Sequence, residues 1–267
     1  MTFKLWKVIV VRATTLCTGL LVASAALALA AGTASAQKIY DNIHGNVSDV
    51  PSVGFEATST SEFGGQVEFA KTARINPTVT IVLNSWACQN LEGEAKCKTS
   101  PGASFTWPIT LNVYEVGAGN EPGPRIASVT EEPTIPYRPS PNPKCKPAEG
   151  EKWVGWGGKC LPDKGVKVPF HLEGVELPET AIISVAYNTT TYGSKPAGED
   201  KGEDSLNVGV TEPPGTPSVG KDPLPEDAYV DSTYPAQYGP EPHGAIGTFS
   251  LANEWTGYQP LFDVTAG

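Results

Sequence analysis

The chain has 267 residues, of which 39% are hydrophobic, 25 are proline and 28 are glycine, and its formal net charge is −10. That length suits one large all-β domain with a substantial core. The proline and glycine load argues against long helices, and the acidity repels nucleic acid and anionic membranes, which disfavours partners held through phosphate contacts.

Residues 1–36 read as a secretory signal peptide. Lys4, Lys7 and Arg12 make a positive start, Leu16–Ala31 is an uncharged apolar run, and Ala34-Ser35-Ala36 supplies an A-x-A cleavage pattern. The run is nearly long enough to span a bilayer, but its Ala, Thr and Ser content and its small-residue ending favour cleavage over an uncleaved anchor. The mature chain then starts at Gln37 as a secreted, extracellular protein with no membrane attachment, carrying 16 Lys and Arg against 29 Asp and Glu. Cys17 leaves with the signal.

From Gln37 onward the pattern is strand, turn, strand. Lys38–Ile43 and Gln66–Ala70 are short β candidates. Thr78–Trp86 puts Val79, Ile81 and Leu83 on one face, and Ile109–Val116 alternates Ile109, Leu111 and Val113 against Thr110, Asn112 and Tyr114. After a short candidate at Arg125–Thr130, residues 166–172 alternate with Val166, Val168, Phe170 and Leu172 inward, and Pro169 marks an edge or a bulge. Ala181–Asn188 is apolar on both faces, as a central strand covered on both sides would be. Ser205–Val210, Gly247–Leu251 and Leu261–Thr265 complete the set. The expectation is a single antiparallel β-sandwich of jelly-roll type over residues 37–267, with the first and last strands side by side.

Three irregular segments interrupt the strands. Pro133–Pro147 is a proline-rich loop expected to lie pinned over the sandwich. Lys195–Asp204 is an acidic turn, and Thr211–Tyr238 is a long crossing with few apolar anchors, which is either functional or packed along a sheet edge. Four mature cysteines remain, Cys88, Cys97, Cys145 and Cys160, for which three pairings are possible. The local pairs Cys88–Cys97 and Cys145–Cys160 are preferred because each brackets a loop-like polar segment. Zinc is excluded by the absence of any C-x-x-C and of a histidine near the cysteines in sequence.

The stretches IYDNI (Ile39–Ile43), ATSTSEFGGQVEFA (Ala57–Ala70), NPTVTIVLNSWACQ (Asn76–Gln89), WPITLNVYEVG (Trp107–Gly117), ISVAYNTTTYG (Ile183–Gly193) and PSVGKDPLPEDAYV (Pro217–Val230) together resemble a family of secreted, actinobacterial-type β-sandwich proteins. The resemblance spans nearly the whole mature chain. It implies a secreted bacterial setting, and no activity or site residue comes with it.

Candidate chemistry is sparse. The mature histidines are His44, His171 and His243, and neither a G-x-S-x-G elbow nor an H-E-x-x-H motif is present. Paired carboxylates for glycoside hydrolysis could come from Glu56, Glu62, Glu68 and Glu254, which lie near aromatic or strand residues. Asp200, Glu203 and Asp204 could hold a structural calcium, although they do not match a calcium-loop spacing, and no other cofactor is implied. Carbohydrate recognition lays a sugar's apolar face on an aromatic ring. The candidate rings are Trp153 and Trp156 in KWVGWGGKC, with Tyr187, Tyr192, Trp255 and Tyr258; Tyr229 also reads as exposed, and Trp86 as core. Trp156 is expected to fold back as a partial lid and Trp153 to be the more exposed. The reading is a non-enzymatic module for an extracellular glycan or cell-surface component; the alternative is a glycan-active hydrolase using paired carboxylates.

Overall fold

The computed structural model describes residues 36–267 except 59, 71–72, 93–95, 147–151, 188–205, 214, 233–247 and 253–256. The expected signal peptide, its last residue apart, lies outside them. Two six-stranded antiparallel sheets carry the fold. The first contains β1 (Gln37–Asp41), β2 (Ser52–Gly54), β4 (Thr78–Ser85), β13 (Lys164–His171), β15 (Leu206–Gly209) and β18 (Phe262–Ala266). The second runs β17 (Ser250–Ala252), β16 (Ala228–Ser232), β3 (Thr60–Glu68), β14 (Thr180–Ala186), β8 (Ile109–Val116) and β9 (Pro122–Glu131). Three two-stranded ribbons flank them: β5 (Asn90–Glu92) with β6 (Lys96–Lys98), β7 (Ser104–Thr106) with β10 (Thr134–Pro136), and β11 (Trp153–Val154) with β12 (Cys160–Leu161). Among the described residues the one α-helical turn is Phe55–Thr58, and no helix is long and apolar enough to cross a membrane.

Period-two alternation builds the core. Val79, Ile81 and Leu83 of β4, Val168 and Phe170 of β13, and Phe262 and Val264 of β18 meet Phe63 and Val67 of β3, Ile183 and Val185 of β14, and Leu111 and Val113 of β8 in one buried cluster. Each such side chain contributes roughly 1.5–3 kcal/mol by leaving water. β14 lies between β3 and β8, and Ile182 and Ser184 on its outer face are as fully buried as Ile183 and Val185 inside, as a doubly covered strand requires. β1 pairs with β18, so the first and last strands are neighbours. β13 pairs with β4 alone, and its edge position tolerates Pro169, which has no N–H to offer a second neighbour.

The structure corrects the reading of residues 211–238 as a crossing with few anchors. Backbone bridges tie Val219 to Asp41 and Lys221 to Glu68, and β16 then joins β3 with Ala228, Tyr229 and Val230 fully buried. Tyr229 is therefore not an exposed aromatic. Its strand is short, and the sequence on both sides is rich in proline, which hides its alternation. Trp86 is only half-buried, because β4 ends at Ser85 and the indole leans out to donate to Ser52 Oγ at 3.3 Å. The proline-rich loop is pinned as expected: Ile135, Tyr137 and Arg138 are buried, and the Arg138 N–H donates to Ala87 O at 3.0 Å. Both local disulfides are present, Cys88–Cys97 and Cys145–Cys160.

Candidate functional site

The KWVGWGGKC segment folds as the β11–β12 hairpin, with Trp153 opposite Leu161 and Val154 opposite Cys160. Its tip turns through Gly157 and Gly158, whose φ values of 67° and 79° are left-handed and favour glycine. This turn leaves Trp156 73% exposed. Trp153 is half-buried: its Nε1 donates to Asp163 O at 2.8 Å, and Lys164 Nζ stands 5.0 Å from its ring centroid. The expected order of the two tryptophans is thus reversed. Trp153 has a hydrogen-bond acceptor within the hairpin's own return, whereas Trp156 sits where the chain points outward. Trp156→Ala should leave the melting temperature within about 1 °C of wild type, while Trp153→Ala should cost on the order of 1–2 kcal/mol and lower it by several degrees. Calorimetry of the two variants checks this, and equal losses would mean that both rings pack.

The hairpin is held from three sides. Cys145–Cys160 closes it with a Cα–Cα distance of 5.8 Å, the Asn142 N–H donates to Lys152 O at 2.9 Å, and Lys159 Nζ pairs with Asp49 Oδ2. Asp49 is brought there by the loop over residues 42–51, which crosses β13 at Gly165. A Cβ on Gly165 would fall 2.1 Å from Val47 O, so no larger residue permits this approach. The Gly165 N–H donates to Ser48 Oγ and Asn84 Nδ2 to Val47 O, each at 3.0 Å.

Asp49 also lines a cleft of about 260 Å³ with His44, Pro51, Thr211, Glu212 and Gly215. On the far wall the Thr211 hydroxyl donates to Gly257 O at 2.9 Å and accepts from the Gln259 N–H at 3.0 Å, which fixes the backbone on both sides of Tyr258. Tyr258 is 40% exposed. The cleft thus holds the carboxylates of Asp49 and Glu212; Asp49 also pairs with Lys159 of the Trp156 hairpin, and Thr211 bonds the residues on either side of Tyr258, while neither ring lines the cleft itself. The sequence did not reveal the cleft, because its walls come from chain segments some 160 residues apart.

Other candidates are placed elsewhere. Tyr187 is a core residue, stacked on Phe55 at 4.1 Å and 4° with its hydroxyl donating to Leu206 O at 2.5 Å. It is not a ligand platform. Tyr192, Trp255, Asp200, Glu203, Asp204, Glu254 and His243 lie outside the described residues, as does the side chain of Glu56. Among the described residues no group of three or more His, Cys, Asp or Glu is placed to hold a metal. His44 Nε2 meets Thr216 O and His171 Nδ1 meets Thr78 Oγ1, both at 3.0 Å on the surface. Glu68 is held by Lys221 Nζ at 2.6 Å. Glu62 lies on the outer face of the second sheet, where Ser184 Oγ, Asn112 Nδ2 and Tyr114 OH all donate to its Oε1 at 2.5, 2.9 and 2.9 Å. Asp231 is its direct cross-strand neighbour on that face.

Two carboxyls, buried Asp163 and half-buried Asp222, set a pH dependence. Asp163, behind Trp153, is pushed up to about 6 by burial, against the Asn84 amide that donates to it and the nearby Arg138 charge. Asp222 is likewise pushed up to about 6 by burial. In the unfolded chain both titrate near the ordinary value of ~4. The native state thus binds more protons between about pH 4 and 6, and its stability rises as pH falls through that window. Asp163→Asn with Asp222→Asn should remove this gain, on the order of 2 kcal/mol for Asp163 and less for Asp222. Urea melts of both proteins at pH 7.5 and 4.5 test it, and parallel pH profiles would refute it.

No family model matches this chain, and neither a curated protein nor a solved structure matches it.

Proposed function

We propose that this is a secreted bacterial β-sandwich that binds glycan at the cell exterior without chemistry of its own, with Trp156 as the stacking platform. The observation that carries this reading is the exposed indole at the tip of a disulfide-closed hairpin. An apolar ring held in water costs solvation free energy, and a rigid mount lowers the entropy lost when a ligand covers it. The cleft at Asp49, whose carboxylate pairs with Lys159 of the hairpin, adds Asp49 and Glu212 as acceptors for sugar hydroxyls. Export is supported by the A-x-A signal pattern together with two disulfides. A glycan array probed with the mature protein and with Trp156→Ala tests the proposal. Binding should appear in the first and weaken at least about tenfold in the second, and binding unchanged by the substitution would remove Trp156 from the site.

A second reading, glycan hydrolysis, rests on the juxtaposition of Glu62 and Asp231. Two carboxylates directly opposite on one face are the arrangement that acid-and-nucleophile glycoside hydrolysis uses. Release of reducing ends from array-positive glycans, lost in Glu62→Gln, would favour this reading over simple binding.

A further inference from the structure

The acidity of the chain is unevenly distributed. Residues 144–164 carry five lysines, Lys144, Lys146, Lys152, Lys159 and Lys164, against Glu149, Glu151 and Asp163. Asp163 is 3% exposed and turned toward Asn84, so it is withdrawn from the surface. The disulfide gathers the cations: Lys144 and Lys146 flank Cys145, which is bonded to Cys160 next to Lys159. Lys152 leads into β11, and Lys164 lies over the Trp153 ring. Lys159 is partly neutralised by Asp49, while Lys144 and Lys152 have no carboxylate partner among the described residues. The exposed Trp156 thus rises from a cationic base.

Charges farther than about 10 Å are screened at ~0.1 M salt, so a ligand reaching this hairpin meets the local lysines more than the net charge of the whole. A planar anionic membrane would bring a broad face of an acidic body close to like charge. A polymer chain can touch the hairpin alone. The tip also offers a single indole between glycines, which is little apolar area for a bilayer and enough for one sugar ring. We infer that the Cys145–Cys160 hairpin binds a polyanionic glycan, Trp156 stacking on a sugar face while the surrounding ammonium groups meet its carboxylates or phosphates. This deepens the glycan-binding reading above and rests on it.

Titration calorimetry of the mature protein with polygalacturonate, phosphorylated dextran and unmodified dextran at 50 and 200 mM NaCl, and with phosphatidylglycerol vesicles, tests the inference. Binding is expected to at least one anionic polymer and to weaken severalfold at the higher salt. Lys144→Gln/Lys152→Gln/Lys159→Gln should weaken it about tenfold, as should Trp156→Ala, with melting temperatures preserved. Dextran bound as well as the charged polymers, with no effect of the lysine changes, would overturn the anionic specificity and leave glycan binding standing. Vesicle binding without polymer binding would replace the glycan with a lipid surface. Binding to none of these probes would overturn the inference, and a positive glycan array would then keep the broader reading intact.

Discussion

Val185→Asp is expected to abolish folding. Val185 is fully buried in β14, with Phe63 opposite it on β3 and Leu111 opposite it on β8. A carboxylate there has no cation or donor to meet it in the apolar cluster. Its desolvation should exceed about 4–5 kcal/mol, comparable to the whole stability of an ordinary domain. Thr80→Asp is the control. Thr80 lies on the outer face of β4 opposite Asp263, so the new charge meets a like charge, but both positions stay partly in water and Lys38 already pairs with Asp263 at 2.8 Å. The cost should stay below about 1 kcal/mol. Soluble yield and far-ultraviolet circular dichroism compare the two variants. Equal tolerance at both sites would refute the central position of β14.

Tyr187→Ala should lower stability by about 3–5 kcal/mol, because it removes a buried ring stacked on Phe55 and leaves the carbonyl of Leu206 without its donor. Tyr187→Phe keeps the ring and loses the hydrogen bond, so about 1–2 kcal/mol is expected. Urea denaturation of the pair separates packing from hydrogen bonding. A stable Tyr187→Ala protein with impaired glycan binding would instead return Tyr187 to the ligand site.

The burial of Tyr187 is legible in strand parity, against its reading as a ligand ring. Ile183, Val185 and Tyr187 share one parity, so the inner face of β14 runs on into Tyr187 even though the polar Asn188–Thr191 stretch follows it. Strand β16 was harder to read, since five residues between turn-forming clusters give too little alternation to stand out. Glu62 reads as a strand carboxylate, but its convergence with Asn112, Tyr114 and Ser184 joins three strands and cannot be read along any one of them.

By itself the sequence determined what depends on local pattern. Alternating apolar residues dictate sheets with one buried face, Pro169 selects an edge strand, and cysteines that bracket short loops close on one another because little chain separates them. Tertiary structure alone decided which of the two hairpin tryptophans reaches solvent and which charges stand together. Exposure depends on what packs above a residue: Trp153 finds Asp163 O, whereas Trp156, three residues from Trp153, stays 73% exposed. Net charge is likewise a sum without positions. The lysines surround one hairpin because a disulfide folds Lys144 and Lys146 back onto Lys159, a proximity that only the closed loop creates.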